Sequence, residues 1–166
     1  MEIPRRSKEV SWASPADVLP AFAGMSFPAY LQAVADGRLP NSPAIELAGI
    51  TLLSIGKGAA SVAFVPEEIH VNSIGAVHGG VIATVLDSTI GYAVQTTLVA
   101  NERFVTTQLG VNFIKGIAPG GTPLRAHAHL RHRGSRVVFA EATLEDHAGT
   151  IYATATATCL VMKPPG

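Results

Sequence analysis

Residues 79–97 are the one stretch of this chain that reads as a long helix. Val81, Ile82, Val85, Leu86, Ile90 and Ala93 recur at helical spacing as a wide apolar stripe, and no other segment sustains that period as far. Asp87, Gly91, Gln95 and several hydroxyls interrupt the run from Val81 to Ala100, and a spanning helix would have to bury them in lipid. The segment therefore reads as a core helix, and whatever buries it has to come from the β-rich sequence on either side.

Upstream, residues 44–54 and 58–65 read as two strands joined through Gly56-Lys57-Gly58, a connection suited to a tight antiparallel hairpin. Downstream, residues 104–114, 122–132, 136–145 and 150–162 read as four more strands. They are punctuated by Pro119-Gly120-Gly121, Arg133-Gly134-Ser135 and Asp146-His147-Ala148-Gly149, gaps short enough for an antiparallel meander. Leu124, Ala126, Ala128 and Leu130 alternate with Arg125, His127, His129 and Arg131, which predicts one dry face and one wet face. Ala153, Ala155 and Ala157 alternate with threonines, and such small side chains let a helix approach a sheet closely.

Residues 1–24 carry Pro4, Pro15 and Pro20 and predict an extended arm or a short helical turn. Phe27, Tyr30, Leu31 and Val34 predict a short helix that stops at Asp36-Gly37 before Pro40. The expected division is a 1–40 arm with a short helix, followed by a 41–166 domain. Twelve basic and twelve acidic residues cancel, so no net field recruits nucleic acid or an anionic membrane. The N-terminus has positive charge but no apolar run behind it, so it does not read as a signal peptide. Cys159 is a single cysteine with no internal partner, which fits a reducing cytoplasm.

The chemistry concentrates in the window from Asn72 to Asp87. His78-Gly79-Gly80 stands where the helix begins, and two absent side chains let a ligand reach backbone N–H groups that lack intrahelical partners. The same pair of glycines also suits close packing or a turn, and His78 also suits a helix-start hydrogen bond. Asp87 lies two turns into the helix, and no lysine, arginine or histidine occurs from Gly79 to Glu102. A carboxylate in such a setting suits general-base or nucleophilic work, though a neighbouring strand can also satisfy it structurally. Asn72, in the irregular loop fifteen residues earlier, offers an amide to orient a polar ligand.

Other chemistries lack their residues. His127 and His129 have no further ligand spaced to complete a metal site, and Cys159 has no evident base beside it. The serine-hydrolase elbow Gly-x-Ser-x-Gly is missing. Gly56-Lys57-Gly58 joins two strands instead of opening a helix, so it is no phosphate loop.

Together the Asn72, His78-Gly79-Gly80 and Asp87 arrangement, placed before the one long helix, resembles the PaaI-type thioesterases of the hotdog superfamily. That group stands close to the hydroxybenzoyl-CoA thioesterases with an acid on the central helix. The resemblance covers about residues 44–162. It implies an α+β hotdog fold in which a curved antiparallel sheet wraps the central helix, two subunits join sheets, and the active site spans their interface. The implied activity is hydrolysis of an acyl-coenzyme A thioester to a free acid and coenzyme A. Gly79 N–H would polarise the carbonyl, His78 and Asn72 would shape that site, Asp87 would activate water or attack directly, and Thr106 on the following strand would assist, with Thr107 on the opposite face as the alternative. Arg131, His132, Arg133, Ser135 and Arg136 would meet the coenzyme's phosphates, although a solvated turn has the same composition. No cofactor or metal is implied, since coenzyme A belongs to the substrate. The expected assembly is a homodimer as minimal active unit and a homotetramer overall. Two other readings stay open, a non-catalytic acyl-CoA binding or sensing module and a hydratase or dehydratase on the same scaffold.

Overall fold

The computed structural model describes residues 3–163. Met1 and Glu2, expected in the arm, and residues 164–166, expected at the domain's end, lie outside the described residues. In chain order the elements are α1 (Pro15–Phe22), α2 (Phe27–Ala35), α3 (Pro43–Leu47), β1 (Ile50–Gly56), β2 (Ala59–Phe64), a 3-10 turn (Glu68–His70), α4 (Gly79–Gln95), β3 (Arg103–Phe113), β4 (Leu124–Arg133), β5 (Val137–Glu145) and β6 (Ile151–Met162).

The leading helices follow local capping rules. Ser26 Oγ accepts from Ala29 N–H at the start of α2, and at its end Gly37, with φ of 70°, lets Gly37 N–H and Arg38 N–H donate to Val34 and Ala33 carbonyls. The 44–54 strand expected from sequence is corrected here, because its first residues form α3. Pro43 fixes the first helical φ after Ser42, Gly49 at φ of 64° ends the turn, and the strand begins only at Ile50.

The six strands form one antiparallel sheet in the order β1-β2-β4-β5-β6-β3. Only β4, β5 and β6 make the expected meander. β3 leaves α4 and pairs at the far edge with β6, while β2 pairs with β4 across the position a simple meander would have given β3. That is a second correction. An apolar helix inserted between the second and third strands is buried best when the strands on both sides of it enclose it in one sheet.

α4 touches all six strands. Val85, Leu86, Ile90, Ala93 and Val94 have no exposed surface, and they meet a sheet face of Ala126, Ala128, Ala140, Ala142, Ala153, Ala155 and Ala157, all buried. Alanine on the strands gives the helix a close approach, and truncating a residue such as Ile90 to alanine would cost about 2–5 kcal/mol. Register shifts place an extra residue in β1, β3 and β4 and near the start of β6, and these bend the strands. At the end of α4, Thr96 and Thr97 hydroxyls donate to Ala93 and Val94 carbonyls, and Thr96 Oγ1 accepts from Gly58 N–H, tying the β1–β2 turn to the helix. Among the described residues no single helix is long and apolar enough to cross a membrane.

Candidate active site

Asp87 is half-buried on the face of α4 that looks toward β3. Its Oδ1 accepts a 3.0 Å hydrogen bond from Thr106 Oγ1. Strand alternation decides which threonine does this: Thr106 turns inward to Asp87 on the face of Phe104, whereas Thr107, the extra residue of the register shift, turns outward and donates to Thr158 carbonyl. The carboxylate opens into a cavity of 210 Å³ whose walls include Tyr30, Asn41, Gly91, Tyr92 and Phe104, with no basic side chain. Tyr92 hydroxyl donates to Asn41 Oδ1, and burial holds its phenol protonated well above the ordinary range. Cys159 Sγ lies 3.9 Å from Thr106 Oγ1, and burial pushes the thiol up, so it stands there as a neutral thiol.

The start of α4 is a second group of features. His78 caps the helix with Nδ1, which accepts from Gly80 N–H at 2.9 Å, while His78 carbonyl accepts from Val81 and Ile82 N–H. A Cβ on Gly80 would sit 3.0 Å from that Nδ1, so the second glycine makes room for the cap. A Cβ on Gly79 would sit 3.2 Å from Phe113 Cζ, placing the end of β3 against the first helical residue. Of the first four helical N–H groups, Gly79 alone has no hydrogen-bond partner among the described residues. Asn72 organises the preceding loop: its Oδ1 accepts from Ile74 and Ala76 N–H, and Gly75 makes the turn at φ of 84°.

One chain thus brings Asp87 and Thr106 together and sets His78 and Gly79 side by side at the helix tip, but it does not join the two groups, and Asn72 Oδ1 is turned onto its own loop. Eight residues of α4 separate Gly79 from Asp87, about 12 Å along the helix axis.

The basic candidates divide as well. Arg133 is tied to buried Glu102, Nη2 to Oε2 at 3.0 Å, and Arg131 pairs with Glu141 at 3.4 Å on the surface. Ser135 and Arg136 are exposed at the β4–β5 turn. Arg131, His132 and Arg133 line an open cleft at the C-terminal end of α4, which Lys57 also enters from the β1–β2 turn. The sequence offered Lys57 only as a turn residue; its position beside β4 follows from the β2–β4 pairing. Asn41 and Tyr92 had no motif to mark them. His127 and His129 face Glu145 and Glu141 on the wet side of the sheet. No three His, Cys, Asp or Glu side chains gather to hold a metal among the described residues.

One antiparallel sheet closed on one long helix, with a threonine-held carboxylate on that helix, defines an α+β hotdog protein. The Thioesterase superfamily model matches residues 74–157, half of the chain, and the chain belongs to that family. It is similar to the candidate esterase PA0474 of Pseudomonas aeruginosa, 35% identical over 83 residues that span 50% of this chain and 60% of that protein. Among solved structures, the candidate thioesterase and phenylacetic acid degradation-related protein of Ralstonia eutropha JMP134 is 27% identical with a TM-score of 0.71, covering 79% of this chain and 98% of its own. The PaaI protein of the Escherichia coli phenylacetic acid degradation operon, 20% identical over 84% of this chain and 96% of its own, shares the fold at a TM-score of 0.71.

Proposed function

We propose that this protein hydrolyses acyl-coenzyme A thioesters. The observation that carries this is the pairing of Asp87 with Thr106 in a cavity free of basic side chains, together with the unpartnered Gly79 N–H at the tip of the same helix. Asp87 takes a proton from water, and the resulting hydroxide attacks the thioester carbon. The tetrahedral oxyanion accepts from Gly79 N–H, the C–S bond breaks, and the thiolate leaves with the proton held by Asp87. No cofactor enters this scheme.

The site is shared between two subunits in this reading. β3 is an edge strand with exposed Val105 and Phe113, and it carries Thr106 near one end and Phe113, the neighbour of Gly79, at the other. Pairing two copies of β3 antiparallel about a two-fold would lay the Thr106 end of one against the Phe113 end of the other. Asp87 would then face Gly79 of the partner subunit. His78 would hold the helix tip and Asn72 the loop before it. Lys57, Arg131, His132, Ser135 and Arg136 supply charge and donors for the coenzyme's phosphates, whereas Arg133 is held by Glu102. We assign residues 41–166 to the catalytic domain and 1–40 to an arm. A tetramer of such dimers and a cytoplasmic location, suited to the lone buried thiol, complete the proposal.

The test is thiol release from a panel of acyl-CoAs by wild-type protein and by Asp87→Asn, with folding checked by thermal melting. The variant should lose about a hundredfold or more in kcat. Wild-type turnover in a folded variant refutes the assignment, and binding without turnover in the parent protein would mark a sensing module instead.

A further inference from the structure

We infer that the acyl group runs from Asp87 into a second, apolar chamber walled by the N-terminal helices, and that this chamber selects an uncharged acyl chain of medium length. The inference rests on the thioesterase reading and extends it to the substrate class.

The second cavity measures 240 Å³ and shares Tyr30, Asn41, Ser42 and Gln95 with the cavity at Asp87, so the two have a common wall. Asp87, Gly91 and Gln95 follow one another at four-residue spacing on one stripe of α4. The missing side chain at Gly91 seats the Phe104 ring, whose Cζ lies 3.3 Å from where a Cβ would be, and the two cavities adjoin across Tyr30, Asn41, Ser42 and Gln95. Val18, Leu19 and Phe22 of α1 and Phe27 of α2 form the far wall, with the Phe22 ring centred 5.3 Å from Phe27 and 4.7 Å from Tyr30. Among the described residues no charged side chain lines it. α1 buries none of its residues in the protein, and Leu19 remains 63% exposed, so its apolar side chains flank open space.

Size and polarity then set the class. At roughly 30 Å³ per non-hydrogen atom, the share of one water in the liquid, the chamber holds about eight such atoms. Each methylene moved from water into it should improve binding roughly fourfold. A carboxylate at the distal end would lose its hydration with no partner, so ω-carboxylated acyl groups should be rejected.

Thiol release from acetyl-, butanoyl-, octanoyl-, hexadecanoyl- and ω-carboxyoctanoyl-CoA tests this. In the wild type, kcat/KM should climb about threefold to fourfold per methylene to near eight carbons and then fall, with the ω-carboxylated substrate at least tenfold below octanoyl-CoA. Val18→Trp, which fills the chamber from an exposed helix, should lower the octanoyl-to-butanoyl ratio about tenfold or more, and Phe27→Ala should raise the hexadecanoyl-to-octanoyl ratio. If Val18→Trp does not fold, the Phe27→Ala ratio decides. A flat chain-length profile, or unchanged ratios in the folded variants, overturns the chamber while leaving thioester hydrolysis standing. If no thioester turns over, the proposed function fails, and calorimetry with octanoate and octanedioate decides the chamber alone. Binding of octanoate only, abolished by Val18→Trp, upholds an apolar acid site, and no binding overturns it.

Discussion

Thr106 Oγ1 donates to Asp87 Oδ1 at 3.0 Å, a bond that reaches from the edge strand β3 to the middle of α4. Strand alternation sets Thr106 inward beside Phe104, and the register shift between Thr106 and Gln108 returns Leu109 to the same face. Thr106→Val keeps the shape of the side chain and removes the donor, leaving the carboxylate free to rotate. We expect a loss of about tenfold in kcat with little change in KM, a smaller effect than Asp87→Asn. Steady-state thiol release on both variants checks this, and a wild-type kcat in Thr106→Val would reduce the threonine to packing.

A shared site makes a distinctive prediction about mixtures. Gly79→Pro removes the unpartnered N–H at a position where proline suits a helix, and its Cβ would sit 3.2 Å from the ring of Phe113, which is exposed and free to give way. Gly79→Pro and Asp87→Asn should each be inactive alone. Unfolded and refolded together, they should recover about a quarter of wild-type activity, because half of the dimers are mixed and each mixed dimer has one intact site. No recovery would place the whole reaction within one chain.

The arginines near the β4–β5 turn should separate into two behaviours. Arg133 holds buried Glu102, so Arg133→Met leaves a carboxylate stranded and should cost about 3 kcal/mol, read as a fall in denaturation midpoint. Arg131→Ala and Arg136→Ala, both exposed, should leave the midpoint nearly unchanged and raise KM for acyl-CoA severalfold at low salt, an effect that fades as ionic strength rises. A KM insensitive to both exposed arginines would move the phosphates away from the β4–β5 turn.

His70 sets a pH limit on stability. The ring is buried, Nδ1 accepts from Glu67 N–H, and Nε2 has no partner among the described residues. Burial holds its pKa below the ordinary 6.5, so the folded protein keeps the ring neutral while the unfolded chain takes up a proton as pH falls through that value. This contribution is complete above pH 6.5 and is lost progressively below it, toward the depressed folded value. Melting curves from pH 8 to 5.5 should fall more steeply for wild type than for His70→Gln, and parallel slopes would contradict the account.

Much of this was legible because it is local or periodic. The α4 stripe, the alternation along β4 and the Asp36-Gly37 stop each express a preference of a few neighbouring residues, and α2, α4 and β3 to β6 fall within a few residues of their expected bounds. Asp87 and the His78-Gly79-Gly80 tip carried signals of the same kind, whereas Thr106 was marked only by the family resemblance. The place of β3 at the sheet's edge was not legible, since pairing with β6 is decided by how a whole sheet encloses a helix. Tyr92 and Asn41 meet across fifty-one residues, and nothing in either segment announces the other. α3 was misread because its Ile45 and Leu47 serve a strand as readily as a helix, and Ser42-Pro43 with Gly49 tips the balance.

The strand order also has a temporal meaning. β3 leaves α4 directly, yet its neighbour in the sheet is β6, some fifty residues further along. During synthesis, β1, β2 and β4 can begin to cover the helix while β3 still lacks its hydrogen-bonding partner. Thr106 therefore reaches Asp87 only after the strand ending at Met162 has emerged and paired, and a chain truncated before Ile151 would have its helix carboxylate but nothing to hold it.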